Sequence, residues 1–508
     1  MSHSILRTAW LYVIVSVPAW AQMNNEPFRP QFHFSPAKNW TNDPNGLVFY
    51  KGEYHLFYQY NPFGDLWGHM SWGHAVSPDM VHWQHLPVAL PEENGVMIFS
   101  GSAVVDWNNT SGLCRNPDPK DRSCLVAVYT GRTEEKQAQH IAFSNDRGRT
   151  WTKYQGNPVL DLNLKDFRDP KVFWHSPSEQ WIMVAVLARE KKVRFFGSRD
   201  LKRWETLSDF GPAGSTEGVW ECPDLFPLQL EGDPSRTKWV LEVDVNTGAP
   251  AGGSGGQYFV GSFDGKTFSN DNPASTTLWQ DFGKDFYAST SFSDIPERDG
   301  RRIWIAWMSN WRYARQEPTT PFRGIQSLPR VLKLRTFGDG VRLVQEPVSE
   351  LQRLRGKAVA VKNASVDEVN RRLSAVHADS YELIAEIDLA AAEEAGFQLR
   401  KGGEDSTTVG VRRDLSEVYI DRAHSGATAF HNEFPGRHAG PLPAAGKTVR
   451  LRVFVDRSSV ELFAGDGRTT ISDRIFPSAG SDGIAFFSKG SGARVISLKL
   501  WPLASIWK

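Results

Sequence analysis

An all-β chain built from repeated four-stranded units, with a second β-domain behind them, is what three features of this sequence predict. From Phe34 to about Arg335, short runs of β-branched and aromatic residues alternate with Gly, Asn, Asp and Pro turns, and helical periodicity is nearly absent. A polar turn of the form S-x-D followed by an aromatic recurs as Ser77-Pro78-Asp79 with Trp83, Ser144-Asn145-Asp146 with Trp151, Ser198-Arg199-Asp200 with Trp204 and Ser262-Phe263-Asp264 with Phe268. The interval, about 55–65 residues, suits a propeller blade of four strands. Beyond Pro347 the texture changes to longer runs of strict alternation.

About five units fit the first segment, so residues 26–345 are expected to form a five-bladed β-propeller. Residues 346–360 read as a linker, with a short helix from Ser349 to Arg355. The remainder, 361–508, opens with Tyr381-Glu382-Leu383-Ile384-Ala385-Glu386-Ile387 and continues through Val449 to Val455, Ser459 to Phe463 and Gly483 to Phe487. Period-two alternation of this kind predicts a C-terminal β-sandwich with one buried face per sheet. It shows no exposed aromatic cluster suited to ligand capture, so bracing the propeller is its expected role.

Residues 1–21 read as an export signal: Arg7 supplies a basic start, Ala9 to Val17 an apolar core, and Ala19-Trp20-Ala21 a cleavage site. The apolar core is too short to span a bilayer, so a mature chain starting near Gln22 is expected to be secreted or periplasmic. In an oxidising compartment Cys114 and Cys124, which bracket a Pro-rich polar loop, are the expected disulfide partners. Such a loop closure contributes roughly 2–3 kcal/mol in the chain-entropy model. Cys222 is then left as a buried free thiol. Lys+Arg and Asp+Glu number 58 each, leaving no net field for nucleic acid or anionic lipid, so a neutral ligand is expected. The 19 Trp, 12 Tyr and 30 Phe offer faces on which sugar rings stack.

Three carboxylates stand where strand-like runs begin beside a proline: Asp43 in Trp40-Thr41-Asn42-Asp43-Pro44-Asn45-Gly46, Asp169 in Phe167-Arg168-Asp169-Pro170, and Glu221 in Trp220-Glu221-Cys222-Pro223-Asp224. Innermost propeller strands run side by side around a channel, so their leading ends meet at one mouth. Acids gathered in that way repel and perturb one another, which suits catalysis better than stability. Two carboxylates that flank a glycosidic bond suffice for hydrolysis. Asp43, in a turn rich in hydrogen-bonding groups that favour its ionised form, fits the nucleophile. Glu221, beside Trp220, Cys222 and Pro223, has the less polar setting of a proton donor. Asp169, preceded by Arg168, is expected to stay charged and to grip sugar hydroxyls as positive charge develops on the ring.

Together with Tyr54-His55-Leu56-Phe57-Tyr58-Gln59-Tyr60-Asn61-Pro62, Trp67-Gly68, Trp72-Gly73-His74-Ala75, Phe99-Ser100-Gly101-Ser102, Asp285-Phe286-Tyr287-Ala288, Trp307-Met308-Ser309-Asn310-Trp311 and Ser327-Leu328-Pro329-Arg330, these motifs make the chain resemble glycoside hydrolase family 32, the invertase, inulinase and levanase group. The resemblance implies a five-bladed propeller followed by a β-sandwich, and retaining hydrolysis of β-fructofuranosidic bonds with no metal or other cofactor. It implies Asp43 as nucleophile, Glu221 as acid/base and Asp169 as transition-state stabiliser. It further implies that Asn42, Gln59, Trp67, Phe99, Ser100, Arg168 and Trp307 hold the terminal fructosyl unit, with Tyr287 near the acid/base.

The stretch from Gly248 to Phe259 looks more like fructan-cleaving members than plant-type invertases, which points to levan, inulin and sucrose as substrates. Thr290 stands where the family pattern has Gln, which bears on contacts beyond the first sugar. Exo action is favoured; endo action and fructosyl transfer share the same three acids and stay open. A non-catalytic lectin is disfavoured, because it has no use for an acid confined by two anions.

Overall fold

Antiparallel four-stranded meanders follow one another along the first two thirds of the chain. The computed structural model describes residues 24–115, 120–442 and 447–507, and the expected export signal lies outside them. The first meander runs Asn39–Tyr50, Glu53–Tyr60, Ser71–Ser77 and Gln84–Leu90. The second runs Met97–Asp106, Cys124–Arg132, Gln137–Ser144 and Thr152–Lys153. The third runs Phe167–His175, Gln180–Leu187, Lys192–Ser198 and Glu205–Phe210. Trp220–Leu230, Asp233–Val245, Gly255–Phe263 and Phe268–Asn270 form the fourth. Tyr287–Ser291, Arg302–Trp307, Arg330–Phe337 and Gly340–Pro347 form a fifth, tied to the fourth through the single parallel pair Leu230 and Leu334.

The leading strands of these meanders pack in sequence. Asn39–Tyr50 touches Met97–Asp106, which touches Phe167–His175, then Trp220–Leu230, then Tyr287–Ser291, and this last strand touches Asn39–Tyr50 again. The late strand Phe322–Arg323 also joins the first sheet, pairing parallel with Asn39 and Trp40. Their interiors are apolar because leading strands are covered on both faces; Val48, Val104, Val172 and Leu225 are buried.

The recurring turn has one physical cause throughout. Each aspartate caps the backbone after it: Asp79 accepts from the N–H of Val81 and His82, Asp146 from Thr150, Asp200 from Lys202 and Arg203, and Asp264 from Lys266 and Thr267. These are Asx turns, which set the chain up to reverse and seat the following aromatic. Trp151 and Trp204 then donate their indole N–H groups to Gly148 and Leu201 inside the turn.

Ser349–Leu354 is a 3-10 helix whose Leu351 and Leu354 are buried against the first region, so this segment is packed rather than loose. From Val359–Ala364 onward a six-stranded and a five-stranded sheet face each other over one core, with Leu383, Val453 and Leu500 from one and Phe397, Val409 and Ile420 from the other. Between them a short helix, Val366–Leu373, starts in a capping box in which Ser365 and Glu368 satisfy each other's backbone N–H.

Buried charges join the two regions. Asp456 and Glu461 hold the two ring nitrogens of His33 at 2.8 and 2.9 Å, Arg330 bonds Asp281 and Glu461, Arg422 bonds Asp285, and Arg474 bonds Glu317. Removing one partner of such a pair strands a buried charge, at a cost of about 3–5 kcal/mol. Cys114 and Cys124 are joined by a disulfide, their Cα atoms 5.1 Å apart.

Candidate active site

The three acids sit at irregularities in their strands. Pairing slips between Thr41 and Pro44, between Arg168 and Lys171, and between Glu221 and Asp224; the other two leading strands slip between Ile98 and Gly101 and between Tyr287 and Thr290. A bulge frees a residue from the ladder and re-aims its side chain. A proline follows Asp43 and Asp169 directly and Glu221 one residue later, and a residue without an N–H favours such a break because it cannot complete the ladder. Asp169, Cys222 and Ala288 consequently have φ of 62°, 48° and 56°, left-handed values that cost of order 1–3 kcal/mol each and persist only where the surroundings impose them.

The bulged ends converge on one cavity of about 220 Å³, lined by Asp43, Asp169 and Glu221 together. Asp43 accepts from Ser100 Oγ at 2.6 Å and from Asn42 Nδ2 at 2.9 Å, and Asn42 is itself fixed by the Trp40 indole at 2.7 Å. Burial nevertheless pushes the Asp43 carboxyl above its ordinary range, with those two bonds opposing and the charge of Glu221 adding. The hydrogen-bonding turn therefore does not keep Asp43 at an ordinary acidity, because desolvation outweighs it.

Asp169 accepts from the Cys222 backbone N–H at 3.0 Å. Burial lifts it to about 7, Arg168 pulling the other way and Glu221 adding. Its neighbouring cation is engaged elsewhere: Arg168 donates to Glu221 Oε1 from Nε and Nη2 at 3.3 and 3.2 Å. Glu221 Oε2 accepts from the Tyr287 hydroxyl. The surroundings of Glu221 are thus polar, a correction to the less polar setting read from its sequence neighbours.

Six predicted binding residues, Asn42, Gln59, Trp67, Phe99, Ser100 and Arg168, line the same cavity. Trp307 does not: it is wholly buried among Trp40, Met70 and Tyr287, and Trp311 lies over it at 4.8 Å. A wholly buried ring offers a sugar no face, so Trp311, which lines the cavity, supplies the wall that Trp307 was expected to supply. Tyr287 touches Glu221 from below without lining the cavity. Thr290 accepts from Lys171 Nζ at 3.1 Å and lines the narrow space beneath the acids, not their cavity.

Trp311 and Arg315 complete the wall and were missed, although Trp311 closes one of the quoted motifs. The Gly248 to Phe259 stretch positions that tryptophan. Gly253 has φ +74°, and a Cβ there would fall 2.2 Å from Asn310 Oδ1, so glycine lets Asn310 bond the loop carbonyls of Gly252 and Ser254.

Residues 33–347 match the model of the glycosyl hydrolases family 32 N-terminal domain, and residues 350–502 that of the family 32 C terminal. The chain belongs to glycosyl hydrolase family 32. It is 50% identical to a levanase of Bacillus subtilis (strain 168) over 95% of this chain and 71% of that one. It is 39% identical to the extracellular exo-inulinase of Aspergillus awamori over 95% of this chain and 96% of that one. The crystal structure of that exo-inulinase superposes with a TM-score of 0.87, covering 95% of this chain and 100% of the other. A β-fructofuranosidase from Schwanniomyces occidentalis, complexed with fructosyl-erythritol, superposes equally well at 34% identity, covering 95% and 99%. As a family 32 member the protein is a glycosidase.

This family 32 site has a second tier that sequence reasoning missed. Asp244 lies opposite Glu221 in the ladder, fully buried, and neither of its oxygens has a partner in hydrogen-bond geometry. Burial and the charges of Asp43 and Glu221 push it well above the carboxylate range; burial, then Asp244 and Asp224, do the same to Glu242. Protonation of either acid would spare the three catalytic candidates a further negative charge. Glu242 and Asp244 interrupt the apolar run from Trp239 to Val245, an anomaly visible in the sequence, since acids are almost never buried without a partner.

Proposed function

We propose that this protein is an exported exo-acting β-fructosidase that removes terminal fructose from levan or inulin and also cleaves sucrose. The observation that carries the reading is the meeting of Asp43, Asp169 and Glu221 in one cavity whose floor narrows to about 20 Å³, room for about one water. The likeness to exo-inulinases supports cleavage at the end of a chain. The levanase and exo-inulinase identities supply the substrate class.

In the retaining reaction, the Asp43 carboxylate attacks the anomeric carbon while Glu221 gives its proton to the departing oxygen, leaving a fructosyl ester on Asp43. Glu221 then takes a proton from an incoming water, the water oxygen bonds to the anomeric carbon, and Asp43 is released. Asp169 accepts from fructose hydroxyls, more strongly as the ring becomes cationic. Trp67, Phe99 and Trp311 give the ring apolar walls, and Asn42, Gln59 and Arg168 fix its hydroxyls.

The five meanders with their closed circuit of leading strands support a five-bladed propeller over 26–345, followed by a bracing sandwich over 361–508 across the 346–360 connection. Export rests on the reading of residues 1–21 and on the extracellular relative; among the described residues no helix is long and apolar enough to cross a membrane. The test is product analysis on levan, inulin and sucrose. Fructose as the sole early product from levan and inulin, with glucose and fructose in equal amounts from sucrose, is expected; early oligosaccharides mean endo action, and oligofructose synthesis at low sucrose means transfer.

A further inference from the structure

A second cavity, about 340 Å³, opens at the far ends of the strands that carry the acids. Phe167–His175 brings Asp169 to the catalytic cavity and Phe173 and Trp174 to this one. Met97–Asp106 likewise brings Phe99 and Ser100 to the first and Val104 to Asp106 to the second, and Trp220–Leu230 brings Glu221 to the first and Leu225 and Pro227 to the second. Five residues of extended strand put about 16 Å between Asp169 and Trp174. The constriction of about 20 Å³ between them, walled by Pro44, Pro170, Lys171, Pro223 and Thr290, passes nothing as large as a sugar. The far cavity is therefore neither an extension of the catalytic pocket nor its exit.

Its lining is that of a saccharide site. Four indoles surround it: Trp107, Trp174, Trp181 and Trp239. Trp107 and Trp174 are 52% and 38% exposed, unusual for so large an apolar surface. Trp107 is held by its N–H on Asp294 Oδ1 at 2.8 Å, and Trp174 stands edge to face on Trp181 at 5.3 Å, whose own N–H is fixed by Thr110. These rings are oriented in advance, which lowers the entropy cost of binding.

The charges in the lining cancel. Asp106 is spent on the backbone and hydroxyls of Thr110 and Ser111, and Asp294 on Val105 and Trp107. Lys171 bonds Asp224, and Arg302 bonds the Phe292 carbonyl at 3.0 Å. Two acids and two bases leave the lining without net charge and all four are already hydrogen-bonded, while a neutral polyhydroxylated ring meets stacking faces and a polar floor.

We propose that this cavity is a second saccharide-binding site, which holds a segment of the same neutral fructan whose end is cut in the other cavity. The inference rests on the fructan reading for the identity of its ligand. Its value is one of effective concentration: a polymer anchored at one face of the enzyme presents its ends to the other.

The test is titration calorimetry of the full chain carrying Glu221→Gln, to prevent turnover, with a purified inulin oligosaccharide. Two sites per chain are expected, falling to one when Trp107→Ala and Trp174→Ala are added. In the active background the double substitution should raise KM for polymer about threefold to tenfold, the worth of lost stacking, with sucrose kinetics unchanged. A single site in both proteins overturns the proposal, and so does a parallel loss on sucrose and polymer. Should the double variant not fold, Trp174→Ala alone carries the same comparison. Failure of the fructan reading is separate: it appears as an unmodified enzyme that releases no fructose from levan or inulin.

Discussion

Arg168 is bonded to Glu221, fifty-three residues away, and not to Asp169 beside it. Nε and Nη2 stand 3.3 and 3.2 Å from Glu221 Oε1, while Asp169 Oδ2 is 3.7 Å from Nε. Asp166 and Gln137 hold the remaining terminal nitrogen at 3.2 and 3.3 Å, so the guanidinium is oriented from behind and faces the pocket. One cation thus bonds the proposed proton donor and stands 3.7 Å from the proposed stabiliser.

Arg168→Lys keeps the charge and loses the planar grip. The expected result is a 10- to 100-fold loss in kcat/KM on sucrose, from charged hydrogen bonds worth about 1.5–3 kcal/mol, with the thermal midpoint within a few degrees of the parent. Unchanged steady-state rates would make Arg168 a bystander.

Asp43→Ala and Glu221→Ala should each lower turnover by several orders of magnitude with the fold intact, as read by circular dichroism. A near-normal rate in either removes that residue from the mechanism.

Stereochemistry tests the pairing of the two. Retention requires about 5–5.5 Å between the carboxyl groups, against roughly 6.5–9.5 Å for inversion. Proton NMR of the first minutes of reaction should show fructose released with the anomeric configuration of the substrate. An inverted first product would exclude a covalent intermediate on Asp43.

The pH profile follows from burial. Asp43 and Asp169 must be ionised to act, and both are raised, Asp169 to about 7. A raised carboxyl keeps its proton over a wider acidic range, so activity falls as pH drops through the raised value. The acid limb of kcat/KM is expected above the ordinary carboxylate range near 4. Ser100→Ala, which removes a donor that favours ionised Asp43, should move the limb upward. A rate that holds level down to pH 4 would contradict the buried setting.

Stability should weaken on the alkaline side. Burial alone would disfavour charged His33, but its bonds to Asp456 and Glu461 outweigh that and raise it to about 9 from 6.5. A raised folded value gives stability that is fully present below about 6.5 and is lost as pH climbs through 9, on the order of 3 kcal/mol. Urea midpoints measured from pH 6 to 9.5 should fall for the parent and stay flatter for His33→Gln. Parallel curves would mean the histidine carries no charge in the folded protein.

The turn aspartates, the strand-like runs and the alternation after Pro347 were enough to predict all-β meanders with a second β-region, because turn chemistry and side-chain period are local. The acid-proline motifs were legible for the same reason: a carboxylate one or two residues before a proline, which cannot complete a ladder, marks a bulge. What Arg168 bonds, that desolvation outweighs the donors to Asp43, and that Trp311 covers Trp307 were decided by the tertiary structure. Each depends on which strand ends are brought together, and on how much water is left between them. Neighbours along the chain do not set the dielectric around a carboxylate; the packing of residues from five different strands does.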